Sequence, residues 1–105
     1  MEDLKVSKYL PGKWQFFEQD HEFKNNFLEL DFSDKEVCIL QNYNGKIETA
    51  RKEWRYYYHR SENAGKLIFG NFKFQLKYID DESLVIKEDL TEVNIPTTFK
   101  YIRVT

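Results

Sequence analysis

The chain is poor in the residues that most often announce a chemistry. It has one cysteine, two histidines, two prolines and four glycines in 105 residues. The lone cysteine, Cys38, excludes an internal disulfide and suits a reducing compartment. The glycines are scattered, so no glycine-rich loop is available to cradle a phosphate, and neither a nucleophile elbow nor a helical metal motif occurs. Asp20-His21-Glu22, near Glu18, sets acidic groups beside a histidine, but the spacing matches no zinc or calcium pattern and the stretch reads as a polar loop between strands. Cys38 and His59 offer a thiol and an imidazole, yet nothing in the sequence places them together, and a lone strand cysteine is usually inert packing. The expectation is a protein that is not an enzyme, with no catalytic residue, no metal ligand and no cofactor.

Long apolar runs and an excess of one charge are missing too. No stretch approaches the length of a membrane span, and Met1-Glu2-Asp3-Leu4-Lys5 has neither the basic opening nor the apolar core of a signal peptide, which makes a cytoplasmic location the expectation. The charged fraction is 32%, but the two signs nearly cancel to a formal net charge of -2. A dedicated nucleic-acid binder shows a basic excess that neutralises phosphates. Arg51, Arg55, His59 and Arg60, with Lys73, Lys77 and the ring of Tyr57, are the nearest thing to a basic aromatic stripe, and Glu53 interrupts it, so these residues read as solvated strand faces. The length allows one core, and the whole of 1–105 is read as a single domain.

What the chain does have is aromatic residues, 17% of it, set in strand after strand of alternating pattern. Lys13 to Glu18 places Trp14 and Phe16 on one face. Asn26 to Phe32 opposes Leu28, Leu30 and Phe32 to Glu29 and Asp31, the period of a half-buried strand. Glu36 to Tyr43 follows a Ser33-Asp34-Lys35 turn, and its inner face is left open between Val37, Ile39 and Tyr43 on one side and Cys38 and Leu40 on the other. Asn44-Gly45 then supplies the positive φ angles of a tight hairpin. Lys46 to Arg60 is long for one strand, and the change of parity between Ile47 and the Trp54, Tyr56, Tyr58 set predicts a bulge or break near Ala50 to Lys52. A turn at Glu62 to Gly65 leads into Lys66 to Phe69. After Gly70-Asn71, Phe72, Phe74, Leu76 and Tyr78 are expected to share a buried face against Lys73, Gln75 and Lys77. Leu84 to Glu88 and Thr98 to Val104 complete the set, separated by a loop at Glu92 to Thr97 containing Pro96. The fold class is all-β: a small antiparallel up-and-down barrel of about eight strands, with a short helix over Leu4 to Leu10 ended by Pro11-Gly12.

Tyr9-Leu10-Pro11-Gly12-Lys13-Trp14 resembles the glycine-x-tryptophan opening of the lipocalin and fatty-acid-binding (calycin) superfamily, and the chain looks most like the compact bacterial lipocalin-like domains that lack a C-terminal helix. The resemblance implies that Gly12 and Trp14 open the first strand and that the indole plugs one end of the barrel against a basic side chain of the last strand, for which Arg103 is the candidate. It also implies a small hydrophobic or aromatic ligand inside the barrel. The short length leaves no room for long entrance loops, so a deep pocket does not follow.

The aromatic stripe then has two readings. Phe16, Trp54, Tyr56, Tyr58, Phe72, Phe74 and Tyr101 are the candidate ligand-binding wall, with tyrosine hydroxyls to orient a ring-bearing molecule. The plainer reading is a filled core, because an eight-stranded barrel is only just wide enough for its own side chains. In that case an outer face bearing Phe17, Tyr57 and Phe69 would meet another protein or a second copy of the chain as a homodimer.

Overall fold

The computed structural model describes residues 3–17, 27–43, 45–89 and 98–104. A helix α1 (Asp3–Tyr9) precedes eight strands: β1 (Gly12–Phe16), β2 (Phe27–Phe32), β3 (Glu36–Tyr43), β4 (Lys46–His59), β5 (Ala64–Phe69), β6 (Phe72–Ile79), β7 (Ser83–Glu88) and β8 (Thr98–Arg103). Each strand pairs antiparallel with the next, and β8 returns to β1, so the sheet closes with no free edge. The expected class, a small all-β up-and-down barrel with one short helix, is the fold. Asp20-His21-Glu22 and the loop with Pro96 lie outside the described residues, as does Asn44. The Tyr43 to Lys46 pairing leaves two residues for that hairpin, with Gly45 at a φ of 83°.

Directly paired residues share a face, and the ladders therefore trace the interior from strand to strand. Trp14, Leu30, Ile39 and Ala50 form one row, and Gly12, Phe32, Val37 and Lys52 the next. The inner face of β3 is thus Val37 and Ile39, both buried, while Cys38 faces outward opposite Arg51. Four points in β4 to β6 differ from the sequence expectation. β4 runs unbroken through Ala50 to Lys52: its first half pairs with β3 up to Glu53 and its second with β5 from Trp54, so a change of partner replaces the expected break. Ile47 belongs to the outer parity and is 59% exposed. In β6, Lys77 is an extra residue between the pairs Leu76–Ile86 and Tyr78–Val85. This bulge turns Tyr78 outward and Ile79 into the core, so Tyr78 does not share the buried face of Phe74 and Leu76. Phe69, expected on an outer face, is fully buried, because the β5 interior positions are Gly65, Leu67 and Phe69.

The two ends of the barrel are built differently. At one end α1 lays Val6 onto the core, with Leu10 just after the helix beside it, and both are buried. The Trp14 indole Nε1 donates to the Leu10 carbonyl at 2.9 Å, tying the barrel floor to the end of the helix. Arg103, directly paired with Trp14 across β1 and β8, sets its guanidinium 4.0 Å from the indole centre. Its Nη1 donates to Pro11 O at 2.6 Å, its Nε to Asp81 O at 3.2 Å and its Nη2 to Tyr9 O. Gly12 has a φ of 124°, and a Cβ there would overlap Arg103 Nη1, so only glycine lets the guanidinium settle beside the strand. Gly12, Trp14 and Arg103 thus meet at this end of the barrel.

Candidate functional site

The opposite end carries the β3–β4 and β5–β6 hairpins and the strand ends Phe16, Phe27, Glu88 and Thr98. Beyond Trp54, the first half of β4 no longer pairs with β5, and the two hairpins stand apart with a hollow between them. That hollow is a cup of about 420 Å³ lined by Phe27, Ile39, Gln41, Asn42, Ala50, Lys52, Asn71 and Phe72. Ile39, Ala50 and the two phenylalanines make its apolar walls.

Phe27 reaches the cup because of a second bulge. Leu28 is extra between the pairs Phe27–Gln41 and Glu29–Leu40, which restores Phe27 to the interior parity of Leu30 and Phe32. Its ring meets Phe72 edge-on at 4.7 Å between centroids and 75°, and Phe69 at 6.2 Å. Under the cup, Phe69 stacks on Phe74 at 5.2 Å, and Phe74 meets Phe99, which in turn meets Phe16. The fully buried Tyr101 donates its hydroxyl to Phe27 O at 2.9 Å, satisfying the polar tip inside this layer. Aromatic rings thus close the bottom of the cup, and aliphatic side chains and Trp14 fill the barrel below it.

The predicted wall residues divide accordingly. Phe72 lines the cup and is 40% exposed. Phe74, Phe16 and Tyr101 belong to the aromatic layer beneath it. Trp54, Tyr56 and Tyr58 sit toward the plugged end: Trp54 packs on Phe32 and donates Nε1 to Ser33 O at 2.8 Å, Tyr56 lies against Gly65, and Tyr58 donates to Asn63 Oδ1. Of the cup lining, sequence reasoning named only Phe72 and missed Phe27, Ile39, Gln41, Asn42, Ala50, Lys52 and Asn71. Ala50 and Lys52 do share the even parity of Trp54 and Tyr56, and continuing that parity backward through β4 finds them.

A second cluster lies on the outer wall of β4, β5 and β6. Lys66, outward on β5, has a side chain only 1% exposed and meets Glu62 Oε2 at 2.7 Å and Asp89 Oδ2 at 2.8 Å. Lys73 approaches Asp89 at 3.8 Å, and His59 Nδ1 lies 3.5 Å from Glu62. Burial opposes the charge on Lys66, but the hydrogen bonds it donates to Asp89 and Glu62 outweigh it and hold the ammonium pKa above its ordinary value. For Asp89 burial again opposes charge, and Lys66, Lys73 and Gln75 together hold its carboxyl below the usual range; the Lys66 hydrogen bond does the same for Glu62. Elsewhere on this surface Arg51 pairs with Glu36 at 3.9 Å, so the cations of the suspected basic stripe are interleaved with carboxylates. Cys38 and His59 are not brought together, since Cys38 pairs with Arg51 and His59 ends the strand at the plugged end. Among the described residues no group of His, Cys, Asp and Glu forms a metal site, and no helix is long and apolar enough to cross a membrane.

No family model, no curated protein and no solved structure matches this chain.

Proposed function

We propose that this chain is a non-enzymatic binding module that holds one small apolar or aromatic molecule in the cup at the open end of a lipocalin-like barrel. The observation that carries the reading is the apolar-walled cavity of about 420 Å³ between the two hairpins, a size within the range of small-molecule sites. The indole and guanidinium plug at the other end supports the likeness to lipocalin-like barrels, since it is the arrangement that resemblance implies. Titration with the neutral fluorophore N-phenyl-1-naphthylamine tests it. Saturable binding of one probe per chain is expected, weakened in Phe72→Ala with little change in melting temperature because Phe72 is 40% exposed. Absence of saturable binding to any neutral or charged ring compound overturns it.

The filled interior beneath the cup favours a second reading, an interaction or homodimerisation module. Its outer face would use Phe17, which is 41% exposed under the Lys100 ammonium, together with the half-buried Tyr57. A dimer in native mass spectrometry that dissociates in Phe17→Ser supports that alternative, whereas a monomer at all concentrations removes its homodimer form.

A further inference from the structure

We infer that the cup selects a compact aromatic monoanion, a ring system carrying one carboxylate, over neutral ring compounds and over long acyl chains. This rests on the reading of the cup as a ligand site and adds the ligand's shape and charge.

Shape comes first. The aromatic layer of Phe27, Phe69 and Phe74, pinned by the Tyr101 hydrogen bond to Phe27 O, closes the cup from below. A long acyl chain needs a shaft to bury its length, and the space below is filled by buried side chains. Phe27 and Phe72 meet nearly at right angles, 4.7 Å apart, and form a corner. A flat ring in that corner meets one phenyl by its face and the other by its edge, the two geometries aromatic pairs prefer.

Charge comes from Lys52. The register with Val37 places it at an inward position of β4, where a barrel strand ordinarily carries an apolar residue, and among the described residues it is the one ionisable side chain lining the cup. Its methylenes lie over the backbone of Gly70 in the facing hairpin, so the stem walls the gap between hairpins. Among the described residues no carboxylate pairs with it, although Arg51, Lys66 and Lys73 all have acidic partners. Gln41, Asn42 and Asn71 add amide groups at the same rim, and among the described residues no carboxylate lines the cup. One ammonium and several amide donors beside an apolar corner complement one carboxylate on a ring.

The test compares naphthalene-1-acetate with its neutral counterpart 2-(1-naphthyl)ethanol and with palmitate, by calorimetric titration of the full chain. The acid is expected to bind one per chain about tenfold more tightly than the alcohol at low salt, the scale of a single charge-assisted contact. That preference should vanish in Lys52→Met, which keeps the stem, and at about 0.5 M salt, where the screening length is only a few ångström. Arg51→Met, at the adjacent outward position, should keep it. Palmitate should not bind saturably. Equal affinity for acid and alcohol, an unchanged preference in Lys52→Met, or tighter binding of palmitate overturns the inference while leaving the cup a ligand site. Failure of both naphthalene compounds to bind the wild-type chain overturns the inference, and failure of N-phenyl-1-naphthylamine and other ring compounds as well overturns the proposed function with it.

Discussion

Arg103 faces Trp14 across β1 and β8 with its guanidinium 4.0 Å from the indole centre, while three of its nitrogens donate to main-chain carbonyls of Tyr9, Pro11 and Asp81. One side chain thereby joins the last strand, the helix exit and the β6–β7 turn over the same indole. The fork geometry matters as much as the charge, because a lysine ammonium cannot reach three carbonyls and lie flat on a ring at once. Trp14→Ala should cost about 3–5 kcal/mol in urea unfolding, the usual range for deleting a buried large aromatic. Arg103→Lys should cost about 1–3 kcal/mol although the charge is retained, since several hydrogen bonds of the fork are lost together. An Arg103→Lys variant as stable as wild type would show the guanidinium to be a bystander at the plug.

Gly65 and Tyr56 form a second close relationship, across β4 and β5. A Cβ built on Gly65 would lie 2.7 Å from the Tyr56 ring carbon Cε2, inside contact distance. Gly65→Ala should therefore destabilise by about 1–3 kcal/mol, as overpacking in a well-filled core does. In a Tyr56→Ala background the same change should cost much less, and the double-mutant cycle measures the difference. Additive losses would mean that the methyl is accommodated without meeting the ring.

The two strand bulges explain what could and could not be read from the sequence. Alternation alone places most strands, because Trp14, Leu30, Ile39, Leu67 and Phe74 follow the period without interruption. The alternation stops being a guide where one extra residue enters a strand. Lys77 looks like any solvated strand lysine, and nothing local says that it stands opposite no partner. Beyond it, Tyr78 is 45% exposed, donating to Asp80 Oδ2 at 2.6 Å, and Ile79 is fully buried. The same effect at Leu28 hid Phe27, and with it half of the aromatic corner of the cup. Lys52 was hidden differently: an inward lysine contradicts the hydrophobic pattern used to find inward positions, so the site's charged residue is the one that patterning discards.

Tyr78 and Ile79 make this difference measurable. Ile79→Ala should cost about 2–5 kcal/mol, as truncation of a buried aliphatic does, and Tyr78→Ala should cost well under that because it empties no core space. The opposite order would restore uninterrupted alternation through β6 and remove the bulge.

Charge on the outer wall gives a pH-dependent prediction. Asp89 and Glu62 have folded-state pKa values below their ordinary ones, so their contribution is present above the unfolded carboxylate value and is lost as pH falls through the lowered folded values. Lys66 is shifted upward, so its contribution is complete below the unfolded lysine value and is lost only as pH rises through the raised one. With ordinary values of about 4 and about 10.4, the cluster should contribute fully from about pH 5 to about pH 9. Asp89→Asn leaves the Lys66 ammonium, 1% exposed, with Glu62 as its remaining close carboxylate. The substitution should lower stability by about 1.5–3 kcal/mol on that plateau, the range for a hydrogen bond to a charged group. As pH falls below the ordinary carboxylate value and through the lowered folded one, the wild-type carboxyl also becomes neutral, and the two unfolding free energies should converge. Urea unfolding of both proteins between pH 2.5 and pH 8 measures the gap directly. A gap of constant size down to the lowest pH would assign the effect of Asp89 to its shape and hydrogen bonding with Gln75, not to its charge beside Lys66 and Lys73.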